Sequence, residues 1–192
     1  MIFNGLKIGV ALTGSFCTFK IVIPEIEKLI KQGAEVLPIM SYNAYNLDTK
    51  FGKAKDFISQ IEDITGKNII HTIQDAEPIG PKHLIDILVI VPCSGNTIAK
   101  LANDITDTPV TMATKSNLRC GNSVVIGVST NNGLGNNAVN IGKLLNYKNI
   151  YFIPFRQDNP ITKPNSLVFD KNYIQKTIEM ALKKEQIQPI LL

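Results

Sequence analysis

The chain has 192 residues, 44% of them apolar, and a formal charge of +4; that suits one domain with a full core and excludes a disordered chain. Its Lys and Arg residues are spread rather than blocked, so no compact patch marks a nucleic-acid surface, and no apolar run reaches the roughly 18 residues of a membrane span. Three widely spaced cysteines (Cys17, Cys93, Cys120) and two histidines (His71, His83) supply neither a disulfide framework nor a metal centre, which points to a reduced, cytoplasmic protein without a metal.

LKIGVAL (6–12) is apolar and β-rich and reads as a first strand, not a secretory signal; TGSFCT breaks it. A helix then runs to Gly33, with Ile26, Leu29 and Ile30 facing the core and Glu25, Glu27, Lys28, Lys31 and Gln32 facing water. Pro24 either kinks this helix or marks its first turn. EVLPIMS (35–41) predicts a second strand. KAKDFISQIEDITG (53–66) places Phe57, Ile58, Ile61 and Ile64 at helical spacing, with Gly66 as the stop. NIIHTI (68–73) is a candidate short strand, and DILVIV (86–91) a buried one. NTIAKLANDIT (96–106) predicts a helix. The next helix has Thr108 as N-cap, Pro109 at its first position and Gly121 past its end. SVVIGVST (123–130) predicts a strand, NNAVNIGKLLN (136–146) a helix and NIYFIPF (149–155) a strand. A Pro-rich loop, RQDNPITKPNS, leads to a last helix near 170–185. The tail QIQPILL docks on its own domain or on a neighbour.

Strands alternate with helices and several are apolar throughout, the pattern of a parallel sheet covered on both faces. The expectation is a single doubly wound α/β domain over residues 1–192, Rossmann-like, with its ligand outside the carboxyl ends of the strands. Four strand ends carry small polar residues: TGS (13–15), SYNA (41–44), CSGNT (93–97) and STNNGLGNN (129–137). Small side chains let a ligand approach the backbone, and free N–H groups with Ser and Thr hydroxyls hold a phosphate without a Lys. Together they describe a rim suited to a nucleotide-like cofactor.

GLGNNA (133–138) matches a dinucleotide fingerprint. It lies late in the chain, no Asp or Glu lies near position 153 to hold a ribose, and the Asn pair reads equally as a helix cap. Cys93, at a helix start, is a candidate nucleophile, but the better reading is a small residue closing a buried strand. His83 is read as a surface residue or one that supports the site from behind, and Asp104 and Asp107 as capping or solvent-facing.

VIVPCSGNTIAKLANDITDTPV (89–110) resembles the P-A-S-A-N-T-x-A-K-x-A-x-G-x-x-D motif of the flavoprotein family that includes the homo-oligomeric flavin-containing cysteine decarboxylases. Pro92, Ser94, Asn96, Thr97, Ala99, Lys100, Ala102 and Asp107 match. GVALTGS (9–15) is similar to the family's first flavin-binding turn, and Ser41 falls where its second strand supplies a hydroxyl. EPIGPK, LANDITDTPVTMATK, STNNGLGNN, YFIPFRQDNPITKPNSLV and QIQPILL resemble one subfamily along the whole chain, the B subunits of dipicolinate synthase.

The resemblance implies an FMN-binding oxidoreductase subunit that acts with a nicotinamide-binding A subunit to make dipicolinate in the mother cell of a sporulating bacterium. Homo-oligomers, trimers or larger, are implied as well. Thr13, Gly14, Ser15, Ser41, Ser94, Gly95, Asn96 and Thr97 are then expected to hold the cofactor, with Ser129 and Thr130 closing the far side. Oxidising a dihydropyridine dicarboxylate requires cations for its carboxylates. Lys82, Lys115, Arg119 and Arg156 lie near predicted strand ends; Lys115 and Arg119, with Asn96, are the first candidates for catalytic roles.

Two departures separate the chain from its decarboxylating relatives. Their His before the central strand corresponds to Pro78 here, with His83 out of register, and their P-A-M-N turn becomes STNN (129–132). Flavin prenyltransferases of the family have a G-A-S-G turn and a later Arg, where Phe16 and Ser129 or Thr130 stand here. A decarboxylase and a non-catalytic, substrate-presenting subunit are the alternatives.

Overall fold

Residues 1–192 are all described in the computed structural model. Four strands with little or no polar interior run parallel: β1 (Lys7–Leu12), β2 (Glu35–Met40), β3 (Ile87–Cys93) and β4 (Ser123–Thr130). A short fifth, β5 (Ile150–Phe152), pairs in parallel with the first half of β4. The order is β2-β1-β3-β4, so the chain leaves β1 on one side and returns to β3 on the other. That reversal is the switch point of the sheet.

The strands are apolar on both faces because helices cover both. Ile8, Val10, Leu12, Val89 and Val125 join one core with α1 (Phe19–Lys31), α3 (Ala54–Thr65) and α8 (Ile174–Leu182). Leu88, Ile90, Val124 and Ile126 join the other, beneath α4 (Ile73–Ala76), α5 (Gly95–Ala102), α6 (Pro109–Arg119) and α7 (Ala138–Leu145). A short helix, α2 (Tyr42–Asn46), follows β2. Between Ile90 and Cys93 the pairing with β4 slips by one residue. The extra residue reverses the alternation of side chains, so Cys93 falls on the same face as Leu88 and Ile90.

Several expectations are corrected. The sheet is mixed, not purely parallel: residues 155–169, read as a strand end and a Pro-rich loop, form an antiparallel hairpin, β6 (Phe155–Asn159) and β7 (Lys163–Phe169), with β7 joined to the end of β4. Its turn is made by Asn159, whose side-chain oxygen accepts from the N–H groups of Ile161 and Thr162 at 3.1 and 2.9 Å, the Asx device that mimics a backbone turn. Residues 68–73 give only an isolated bridge from Ile70 to Ile39 before Thr72 caps α4. Glu25 is buried, not solvent-facing; Lys28, one turn on, meets its carboxylate at 2.8 Å. Pro24 lies inside α1. The tail docks on its own domain, with Phe155 N–H donating to Ile190 C=O and Gln186 bonded to the backbone of Phe152. No helix is long and apolar enough to cross a membrane.

Candidate functional site

Three turns at the carboxyl edge are stitched together by side chains. Thr13, fully buried after β1, donates from Oγ1 to the Pro92 carbonyl at 2.8 Å and accepts from the Ser94 N–H at 2.8 Å. Ser15 donates from Oγ to the Ser129 carbonyl at 2.6 Å, which ties the β1 turn to the end of β4. Ser94 caps α5 by accepting from Thr97 N–H, and Ser41 caps α2 by accepting from Ala44 N–H at 3.3 Å. The N–H groups of Gly95 and Asn96, at the first turn of α5, have no acceptor within the chain. They and the helix dipole make this edge attractive to an anion.

Two clefts open along the rim, and Asn96 lines both. The larger, about 460 Å³, lies between Ser15, Gly95, Ser129, Thr130 and the loop that follows β4. The smaller, about 350 Å³, lies between Gly14, Ser41, Ser94, Thr97 and the start of α6. Gly95 sets how closely α5 approaches that loop. A Cβ there would strike Thr130 Oγ1 and come within 2.6 Å of Asn137 Nδ2 and 2.9 Å of Asn132 Oδ1.

Asparagines dominate the larger cleft. Asn132 Oδ1 accepts from Thr130 Oγ1 at 2.6 Å and from Asn137 Nδ2 at 2.7 Å, and Asn137 Oδ1 accepts from Asn140 Nδ2 at 3.0 Å. The cap reading of this Asn pair is corrected: Asn137 precedes α7 but makes no side-chain cap, because its Oδ1 accepts instead from Asn140 Nδ2. No charged side chain lines the larger cleft. In the smaller one the charged residues are Lys100 and Asp107, paired at 2.7 Å.

The structure brings Thr13, Gly14, Ser15, Ser41, Ser94, Gly95, Asn96, Thr97, Ser129 and Thr130 to one edge. It does not bring Lys115 and Arg119 there, which corrects that placement. Helix α6 starts at the rim and runs away from it; Lys115 borders a small crevice with Tyr147 and Ile150, and Arg119 ends the helix just before β4 begins at the opposite edge. Lys82 and His83 likewise precede β3, and Arg156 is paired with Asp170 at 2.9 Å. His71 stacks on Tyr45 with ring centroids 3.9 Å apart. Cys93 is fully buried, and desolvation pushes its thiol far above the ordinary range, so it is scaffold and not a nucleophile. Sequence reasoning missed Asn43, Lys100, Asp107, Asn132, Asn137 and Asn140. The signals were in view: Lys100 and Asp107 stand in the resembling motif, Asn43 in SYNA, Asn132 and Asn137 in STNNGLGNN, and Asn140 just beyond it.

The flavoprotein family profile matches residues 3–177. The B subunit of dipicolinate synthase from Bacillus subtilis (strain 168) is 48% identical over 188 residues, 98% of this chain and 94% of that protein. The crystal structure of the corresponding dipicolinate synthase chain from Bacillus halodurans superposes with a TM-score of 0.92 at 47% identity, covering 100% of this chain and 98% of the other. The FMN-dependent cysteine decarboxylase SpaF shares the fold, with a TM-score of 0.69 at 20% identity over 95% of this chain and 98% of its own.

Proposed function

The chain belongs to the flavoprotein family, and from that premise we propose that it binds FMN and serves as the flavin subunit of a dipicolinate-forming synthase. The carrying observation is the neutral, donor-rich rim stitched across the switch point by Thr13 and Ser15. Its donor set fits a mononucleotide. Hydroxyls and Asn96, whose N–H has no acceptor in the chain, line the smaller cleft, where they suit a phosphate. Side-chain amides face the larger one, where they suit the polar edge of a flavin and a substrate beside it. Gly95, with no Cβ, lets the loop after β4 pack closely against the start of α5 and so shapes the larger cleft.

In this reading Ser41, Ser94, Thr97 and the Asn96 N–H hold the phosphate and ribityl chain, with Gly95 on the side of the larger cleft. Ser15, Ser129 and Thr130 border the ring, and Asn96, common to both clefts, positions it against the substrate. The reaction removes two hydrogens from a dihydropyridine dicarboxylate, and aromatisation supplies the driving force. Bound FMN supplies the hydride acceptor; the protein's part is to hold the two rings in register and keep the ligand oriented. Asn132 and Asn137 are held by the hydrogen bond between them and by the one Asn132 accepts from Thr130, and they present amides to the substrate side. Neither cleft carries an unpaired cation. The charge that balances the substrate carboxylates therefore comes from the nicotinamide-binding A subunit or from another copy of this chain in a homo-oligomer. The setting is the mother cell of a sporulating bacterium.

The test is the absorbance spectrum of the purified chain, with any released cofactor identified by mass. Protein that is colourless and stays so on mixing with FMN refutes the reading. Turnover of the dihydropyridine by the chain with its A subunit, lost when this chain is omitted, supports the enzymatic role over a substrate-presenting one.

A further inference from the structure

Lys100 and Asp107 are the two charged side chains in an otherwise neutral rim. Lys100 lies one turn below Asn96 and Thr97 on the same face of α5. Long side chains on a helix lean toward its N-terminus, so the ammonium reaches up to the smaller cleft. Asp107 directly precedes the Thr108 cap of α6, and both of its oxygens accept from Lys100 Nζ at 2.7 Å. The lysine is the more enclosed partner, 22% exposed against 57% for the aspartate. An ammonium has three N–H donors. The carboxylate takes at most two, and no other acceptor in the chain takes the third.

Hydroxyls and backbone amides fix the shape of an anion but carry no net charge. A dianionic phosphate beside Asp107 alone would meet a like charge; beside Lys100 it meets an ammonium already oriented. We propose that Lys100, oriented by Asp107, reads the phosphate in the smaller cleft: its remaining N–H donates to the phosphate of FMN, and this contact gives the chain its preference for the phosphorylated flavin over riboflavin. The proposal rests on the flavin reading above and assigns the source of its phosphate selectivity.

The experiment titrates flavin-free protein with FMN and, separately, with riboflavin, following quenching of flavin fluorescence. The wild type is expected to bind FMN more tightly. A charge-assisted hydrogen bond to phosphate corresponds to about 10–100-fold in affinity, so Lys100→Met weakens FMN by about that factor and leaves riboflavin within about twofold. Lys100→Arg retains most of the FMN affinity. Lys100→Met with Asp107→Asn regains part of the loss, because the uncompensated carboxylate is gone. Rising salt weakens FMN more in the wild type than in Lys100→Met. Equal losses for both flavins would make the pair a mere structural brace and overturn the proposal, as would an FMN affinity untouched in Lys100→Met. Wild-type protein that binds both flavins equally overturns the phosphate assignment alone, whereas protein that binds neither removes the flavin reading beneath it. Melting temperatures without flavin report whether each variant folds. Should Lys100→Met fail to fold, Lys100→Gln and the wild-type salt dependence decide.

Discussion

Replacing Thr13 by Val tests whether the rim is held by one buried hydroxyl. The side chain is fully buried, and its Oγ1 makes two hydrogen bonds of 2.8 Å. Valine keeps the shape and removes both. The Pro92 carbonyl still accepts from Thr13 N–H at 3.2 Å, so it stays satisfied, but Ser94 N–H loses its acceptor. One lost hydrogen bond costs about 1 kcal/mol, and an orphaned N–H about 1–3 kcal/mol more, for about 2–4 kcal/mol in all. For a domain of this size each kcal/mol lowers Tm by about 2–4 °C, so the variant should melt about 4–16 °C below the wild type. Thr13→Ser is the control. It keeps both hydrogen bonds and loses a methyl, about 1 kcal/mol or about 2–4 °C. Differential scanning calorimetry of the flavin-free proteins gives the comparison, and FMN titration the functional consequence. Thr13→Val should bind FMN at least tenfold more weakly, because Ser94 is no longer anchored. If Thr13→Val melts no lower than Thr13→Ser, the stitching argument is wrong.

Other expectations follow from the same geometry. Gly95→Ala drives a methyl into Thr130 and Asn137, whereas a Cβ at Gly142, inside α7 and lining neither cleft, meets nothing within 4 Å; the first should abolish flavin retention on gel filtration and the second should spare it. Asn96→Asp puts a negative charge where both clefts meet and should weaken FMN binding at least tenfold; an unchanged titration would contradict the site. Arg119→Ala should leave FMN affinity within about twofold, because that side chain ends α6 at the opposite edge. The Cys93 thiol is raised from its ordinary 9.0 by burial, so its contribution to stability is complete below pH 9 and is lost as pH rises above it, at up to about 1.4 kcal/mol per pH unit. Urea unfolding from pH 8 to 11 should therefore fall more steeply for the wild type than for Cys93→Ala, and parallel curves would refute the burial argument.

The sequence by itself determined the layered α/β architecture and the neutral rim. Strands such as IGVAL and ILVIV are apolar at every position, and only a sheet covered on both faces buries such runs. Thr108, Pro109, Gly66 and Gly121 mark helix ends through local backbone chemistry, which needs no partner from elsewhere in the chain. The small polar residues after each strand were legible for the same reason. Only the tertiary structure decided which of them meet. Thr13 reaches Pro92 and Ser94, and Ser15 reaches Ser129, across 79 to 114 positions of sequence, a distance that no local pattern encodes. It also removed Lys115 and Arg119 from the site, because nearness to a strand in sequence does not say which edge of the sheet a side chain joins. Residues 156–166 read as a loop because Pro and Asn are poor strand formers. Pairing of β6 with β7, and of Leu167 and Val168 with the end of β4, outweighs that propensity, since it satisfies backbone groups that a bare sheet edge would leave open.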